Sequence, residues 1–473
     1  MRLKSLLGDS ALYGGAAVAS KAMGLATFPL LLSELDVSEY GTLDLFSYFL
    51  SLGAVVAAFG LDSALGRLLH DYEPKDRPRF VSTVLFLQAA ILCIVTPLMA
   101  LCAWIWLSAG ASSNGYAYLS VIMVLQLPFS VAYSLAVGLS QWTFARKQYL
   151  FLTLGFTFLQ AVVLVSGITA FDLSVVEIAA MTAVVTILFG CAGLSYLSSM
   201  IVYKIDTGAI RSVLRFAWPF GVIGLLGAFG PVAERSIVLS QLGAEELGLY
   251  SVAGKIASLM ALVSIAFQTA WGPFAVAVHT QREGSRDLFA VVLWLVTTGM
   301  SVGAFALAAL AQPLLSLFSA KDYFTAVPLV LPLALAAGVS ATAAVMQVEL
   351  LISKKSHLNL IAEIAFFVSL VGIAGVGASY LGSTAVAAAT LISSLLRCYL
   401  LFTFAEGVLA GRASTFGVWS FIVLTSLLGI VLSGSIESLG AVGFAAVCSG
   451  TASFALATCL FILSSLRKGR AWL

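Results

Sequence analysis

Charge is what this sequence has least of. Among 473 residues, 24 are Lys or Arg and 22 are Asp or Glu, 10% in all, where a soluble domain carries roughly 25%. Hydrophobic residues make up 61%, against a usual ~45–50%. A soluble globule must cover its surface with polar groups, and this chain has too few to do so. A disordered chain and a soluble enzyme are excluded on the same ground. The net charge of +2 is too small to draw a polyanion, so no nucleic-acid partner is expected. Histidine is nearly absent: His70, His279 and His357 all fall in short connections between apolar runs. A metal site inside those runs would lack its usual ligand, and none is expected. The six cysteines (Cys93, Cys102, Cys191, Cys398, Cys448 and Cys459) sit singly in apolar runs with no CxxC pair, which suits packing rather than a disulfide framework. No P-loop, GxSxG elbow, HExxH or dinucleotide fingerprint occurs, so the chain is not expected to be an enzyme or to hydrolyse ATP. Long connections are missing too. Stretches such as 71–79 and 279–287 are too short to fold as a domain. That argues against a membrane glycan polymerase or ligase, which would carry a large outer loop.

What is present is a succession of apolar runs, each long enough to span a bilayer as a helix, which takes roughly 20 residues. Fourteen are expected, at 11–34, 42–64, 80–108, 117–140, 150–171, 177–202, 216–240, 249–272, 288–312, 327–352, 358–380, 383–404, 416–434 and 441–465. They lack the alternation of barrel strands. In lipid every backbone polar group must find a partner, which leaves a helical bundle: an all-α, polytopic membrane protein. The first run is interrupted by Lys21 and continues straight into Leu25–Leu32, so no cleaved signal is expected. Nineteen lysines and arginines fall on the side of Arg2 and Lys4, and only Lys321 on the other. By the positive-inside rule both termini are then cytoplasmic.

Two stretches resemble each other at an offset of 207: Leu31–Val56 and Val238–Val263. They share Leu32/Leu239, Ser33/Ser240, Leu35/Leu242, Glu39/Glu246, Gly41/Gly248, Ser51/Ser258 and Leu52/Leu259. Each covers the end of one segment, an acidic outer loop and the start of the next. Segments 1–2 thus correspond to segments 7–8, an even number of crossings apart, which makes the repeat parallel. The expected division is an N-lobe at 1–212 with helices 1–6, a C-lobe at 213–404 with helices 7–12, and helices 13–14 with a cytoplasmic tail at 405–473.

These residues carry a family resemblance. The run LLSELDVSEYGTLDLFSYFLSL followed by GLDSALGRLL, and the second copy FAWPFG followed by ERSIVLSQLGAEELGLYSVAGKIASLMALVSIAFQTAWGPF, resemble Wzx-type polysaccharide biosynthesis flippases. These belong to the multidrug/oligosaccharidyl-lipid/polysaccharide exporter superfamily. The resemblance implies twelve core helices in two lobes plus two extra helices, in the inner membrane. It also implies a polyprenyl-diphosphate-linked oligosaccharide as cargo, moved from the cytoplasmic to the outer leaflet. Glycan polymerase or assembly proteins are the implied partners, beside membrane lipids, and a monomer is expected.

Four cations remain inside the apolar segments: Lys21, Arg235, Lys255 and Arg397. A charge at a helix centre costs roughly 2.5–3.5 kcal/mol on insertion scales, so such residues face a cavity or a partner. Lys21, Arg235 and Lys255 lie in segments 1, 7 and 8, those the repeat singles out. They are the candidate substrate-binding residues, since Lys and Arg both suit a diphosphate. Snorkelling is the competing reading for Arg235 and Lys255, placed near the outer surface, and the preferred one for Arg397. Asp44 and Glu177 are expected at helix starts, where a carboxylate is favoured. Asp62, Glu349 and Glu363 lie near cytoplasmic ends. Glu234, beside Arg235, is the candidate site for a coupling H⁺ or Na⁺. Gly221, Gly224, Gly227 and Gly230 recur every third residue and end at Pro231, a pattern that allows close packing or a bend. A cation-coupled drug or metabolite antiporter of the same superfamily stays open as the alternative; its cavity would be acidic or apolar.

Overall fold

The computed structural model describes residues 3–434 apart from 70–71, 74, 110–114, 144, 172, 199, 203–205, 281–284, 318–320, 353–355 and 406–411. Among these residues the only regular structure is helix. The helices are α1 (Leu3–Ala26), α2 (Phe28–Glu34), α3 (Val37–Ala58), α4 (Leu61–Leu68), α5 (Arg77–Ala109), α6 (Gly115–Trp142), α7 (Arg146–Leu150), α8 (Phe156–Phe171) and α9 (Val175–Ser198). They continue with α10 (Thr207–Leu242), α11 (Ala244–Ala257), α12 (Leu259–Thr280), α13 (Ser285–Leu317), α14 (Val327–Ile352), α15 (Ser356–Leu381), α16 (Ser383–Ala405) and α17 (Arg412–Gly434). A π-helical turn, Phe151–Gly155, joins α7 to α8.

Among the described residues twelve spans are long and apolar enough to cross a membrane. They coincide with the first twelve expected segments. The thirteenth expected segment is α17, whose apolar part Gly417–Ser433 is shorter. The fourteenth, 441–465, lies outside the described residues.

The chain forms two compact units, residues 1–236 and 237–473. The chain passes from one unit to the other inside α10, without a loop. In the first unit α6 lies along α9, α5 packs beside α6, α3 leans on both α5 and α6, and α1 rests on α8. In the second unit α14 is the central helix, touching α11, α12, α13, α16 and α17. Its span is 89% buried, compared with 44% for the span of α3. An all-apolar helix with no lipid face is what such a position requires.

Two helix starts correct the expected boundaries. The second span begins at Val37, not near 42, and the eighth at Ala244, not near 249. The acidic residues assigned to outer loops are in fact first-turn residues. Glu39 forms a capping box with Asp36, whose N–H donates to Glu39 Oε2 at 3.2 Å. Glu245 and Glu246 stand in the first turn of α11. Carboxylates there meet the unsatisfied N–H groups of the helix start, so acidity marks the helix rather than the loop. The two N-caps, Asp36 and Gly243, are 207 residues apart, the offset of the repeat. Glu177 is at a helix start as expected, accepting from Ser174 N–H at 2.8 Å and Ser174 Oγ at 2.7 Å.

The second span ends in a sharp break. Phe59 (φ 41°) and Gly60 (φ 72°) both adopt the left-handed conformation before α4 resumes. An aromatic residue is strained there, and only a tightly determined surrounding keeps it. Gln88 of α5 donates to the carbonyl of Ala57 on one side. On the other side α10 comes so close that a Cβ at Gly60 would collide with the Ala217 carbonyl, and one at Gly221 would stand 2.8 Å from the Phe59 oxygen. The first two glycines of the stripe are thereby explained: Gly221 admits this break, and Gly224 packs near Val55. Gly227 faces open space. Helix α10 runs on through Pro219 and Pro231, and Pro231 leaves the Gly227 carbonyl without its i+4 donor.

Candidate functional site

Arg235 lies seven residues before the end of α10 and Asp44 seven after the start of α3. At 1.5 Å per residue both stand about 10 Å below the same end of their spans. They meet there. Arg235 Nε donates to Asp44 Oδ2 at 2.7 Å. Its Nη1 reaches the Pro231 carbonyl at 3.4 Å and lies 3.9 Å from Glu234 Oε2. The guanidinium carbon sits 3.7 Å above the centre of the Tyr48 ring, a cation–π contact. The side chains of Arg235, Asp44 and Glu234 are 4%, 10% and 9% exposed. This arrangement goes against the competing reading of Arg235 as a snorkelling residue and against the expected helix-start role of Asp44. A short route to water does not help a guanidinium that already has a carboxylate and an aromatic face at its own depth.

Lys21 is different. It stands near the middle of the first span and is exposed, with no ion-pair partner among the described residues. The face of α1 that packs is another one. Tyr149 Oη donates to the Tyr13 carbonyl at 3.2 Å, their rings meet edge to face at 4.7 Å, and Ser20 shares a hydrogen bond with Thr157. Tyr13, Ala16 and Ser20 follow the 3.6-residue period, which turns Lys21 away from α7 and α8. Around it Gly14 and Gly24 have room for a Cβ with no atom within 4 Å.

Lys255 is half-buried and likewise has no ion-pair partner among the described residues. Because α11 starts at Ala244, Lys255 lies eleven residues into the span, about 16 Å deep. It is thus deeper than expected, and snorkelling is correspondingly harder. It occupies the last turn of α11, just before Ser258, which keeps an α-helical backbone (φ −63°, ψ −15°) ahead of α12; Ser258 Oγ donates to the Lys255 carbonyl at 2.6 Å. A cation in the last turn of a helix is favoured by the helix dipole.

Arg397 does not snorkel. Its Nη2 lies 2.6 Å from Glu363 Oε1, with side chains 16% and 8% exposed, and ties α16 to α15. Of the expected site residues, then, the structure joins Arg235 with Glu234, and adds Asp44 and Tyr48. Lys21 and Lys255 each stand without an acidic partner among the described residues. Asp44 escaped the sequence reading because the helix start was placed too late, which put it at the membrane surface. Counting eight residues on from Asp36 and eight back from Gly243 would have set it level with Arg235.

No curated protein matches this chain. Among solved structures, the fold is similar to a lipid II flippase MurJ in an inward closed conformation, with a TM-score of 0.70, 13% identity, and coverage of 96% of this chain and 98% of that one. It is also similar to a multidrug resistance MATE family transporter of the MOP superfamily in an inward-facing conformation, with a TM-score of 0.65, 15% identity, and coverage of 86% and 95%. At such identities the likeness concerns the fold, a multi-pass membrane bundle of the flippase and transporter type. The polysaccharide biosynthesis protein family matches residues 6–279, more than half of the chain. The chain belongs to that family of polysaccharide biosynthesis proteins.

Proposed function

We propose that this protein is a flippase for a lipid-linked oligosaccharide. Its cargo is joined to a polyprenyl carrier through an anionic diphosphate and moves from the cytoplasmic to the outer leaflet by alternating access. The observation that carries the reading is the pair of lysines deep in the spans, Lys21 and Lys255, neither with an acidic partner among the described residues. An uncompensated ammonium is costly in the membrane. It becomes favourable when an anion arrives, and a lysine serves a phosphate as a compact point charge. Arg235 is the third substrate-binding residue, and Glu234 holds the coupling H⁺ or Na⁺. Both termini are cytoplasmic, the location is the inner membrane, and the protein works as a monomer with glycan assembly proteins downstream.

A second reading has a specific observation on its side. Asp44 and Glu234 outnumber Arg235 in their cluster, and acidic clusters suit a cation-coupled drug or metabolite antiporter, in keeping with the shared fold. One experiment separates the two. Deletion of the flippase causes its lipid-linked intermediate to accumulate on the cytoplasmic side. Deletion of the antiporter causes drug sensitivity with normal glycan. Normal export in a Lys21→Ala, Lys255→Ala double variant sinks the first reading.

A further inference from the structure

The Asp44–Arg235 pair is more than the fold at that place requires. The repeat supplies the comparison. Asp44 corresponds to Ser251 and Arg235 to Phe28, so neither half of the pair has a charged counterpart in the other copy. Yet the helix that carries Ser251 starts at the equivalent cap and runs past it just as α3 runs past Asp44. A helix of this kind is therefore built without the carboxylate. What Asp44 adds is a negative charge on one guanidinium, 2.7 Å from Nε. Besides Asp44, that guanidinium has the Tyr48 ring beneath it, the Pro231 carbonyl at 3.4 Å and Glu234 Oε2 at 3.9 Å from Nη1, and a planar fork of donors of the kind that suits phosphate oxygens.

The same helix is held on both sides of this point. The ion pair fixes α10 to α3, and six residues later Gln241 Nε2 donates to the Gly375 carbonyl of α15 at 2.9 Å. The pair thus sits where α10 leaves the first unit, one residue before the division at 236–237.

We propose that Asp44 is a built-in substitute for the phosphate of the ligand. It occupies Arg235 while the site is empty and gives up the guanidinium when an anionic ligand arrives, so it sets the affinity and charge selectivity of the site. This rests on the flippase reading for the identity of the natural ligand, though not for the exchange itself. Asp44 is a positioning and selectivity residue: it acts through Arg235 and does not touch the ligand.

The test uses the purified full chain in detergent, inorganic diphosphate as the probe, and glycan export in cells as a second readout. Asp44→Asn keeps an oxygen on Arg235 and removes the competing charge. It should bind diphosphate at least tenfold more tightly than the wild type and export glycan more slowly, because the ligand is no longer displaced. The charge-reversed double variant, Asp44→Arg with Arg235→Asp, should recover thermal stability but not diphosphate binding or export. Three results overturn the proposal: diphosphate binding that is unchanged or absent in Asp44→Asn, wild-type export by the reversed pair, or wild-type export by the neutral pair Asp44→Asn, Arg235→Gln. Should Asp44→Asn fail to fold, Asp44→Ser, which carries the residue of the other copy, is read by the same criteria: tighter diphosphate binding supports the exchange, and unchanged or absent binding overturns it. Tighter diphosphate binding in Asp44→Asn alongside normal glycan export in the Lys21→Ala, Lys255→Ala double variant would remove the glycolipid reading and leave the exchange standing. Lost export in Lys21→Ala with unchanged binding in Asp44→Asn would do the reverse.

Discussion

Helices α3 and α11 are two answers to one design. Each begins at a cap, Asp36 or Gly243, and each carries carboxylates in its first turn. Eight residues past the cap, one has Asp44 and the other Ser251; twelve past it, one has Tyr48 and the other Lys255. In α3 these two side chains receive Arg235, one by an ion pair and one by its ring. In α11 the Ser251 hydroxyl is buried with no hydrogen-bond partner among the described residues, and the charge belongs to the helix itself, at Lys255. Helix α3 thus neutralises a cation brought by α10, whereas the cation of α11 has no acidic partner among the described residues. A membrane protein keeps a costly unpaired charge only where a ligand or water compensates it. The four membrane cations therefore divide into two with carboxylate partners, Arg235 and Arg397, and two without an acidic partner among the described residues, Lys21 and Lys255.

The largest effect that can break this division is on stability. Arg235→Ala leaves Asp44 and Glu234 buried without the cation between them, a loss of about 3–5 kcal/mol by analogy with other broken buried pairs. Thermal unfolding in detergent should show it plainly, whereas Lys21→Ala and Lys255→Ala should leave the unfolding midpoint unchanged or raise it. A fall in Lys255→Ala as large as that in Arg235→Ala would erase the distinction. Next comes Gly60→Ala, expected to cost on the order of 1–3 kcal/mol because the residue is left-handed and faces the Ala217 carbonyl. Tyr48→Leu removes the ring beneath Arg235 and should cost roughly 1–2 kcal/mol, while Tyr48→Phe stays within about 0.5 kcal/mol. The smallest effect is at Gly227, where a methyl group meets nothing within 4 Å. Gly227→Ala should be stabilising by about 0.5–1 kcal/mol; if it is instead as damaging as Gly60→Ala, the open space there is needed for motion.

Much of the architecture could be read from hydropathy. Twelve spans fall where apolar runs do, because in lipid the backbone has no alternative to helix. The ends were harder. Asp36, Glu39, Glu245 and Glu246 are polar and read as loop, yet polarity at a helix start is a cap. Shifting two starts by about one turn moved Lys255 inward and Asp44 to the level of Arg235. The presence of membrane cations was legible one by one, but their partners were not. Arg235 with Asp44 is separated by 191 residues and Arg397 with Glu363 by 34, and nothing local in either segment announces the match. The break at Phe59–Gly60 was equally hidden, since half of it is made by α10 arriving at Gly221.

The central claim is that Lys21 and Lys255 wait for an anionic glycolipid. It is tested most directly by the leaflet distribution of the lipid-linked oligosaccharide in cells that carry the Lys21→Ala, Lys255→Ala double variant at wild-type abundance. The account predicts intermediate accumulating in the cytoplasmic leaflet, with surface glycan reduced at least tenfold. Glycan export at the wild-type rate, with no intermediate accumulating, would contradict it.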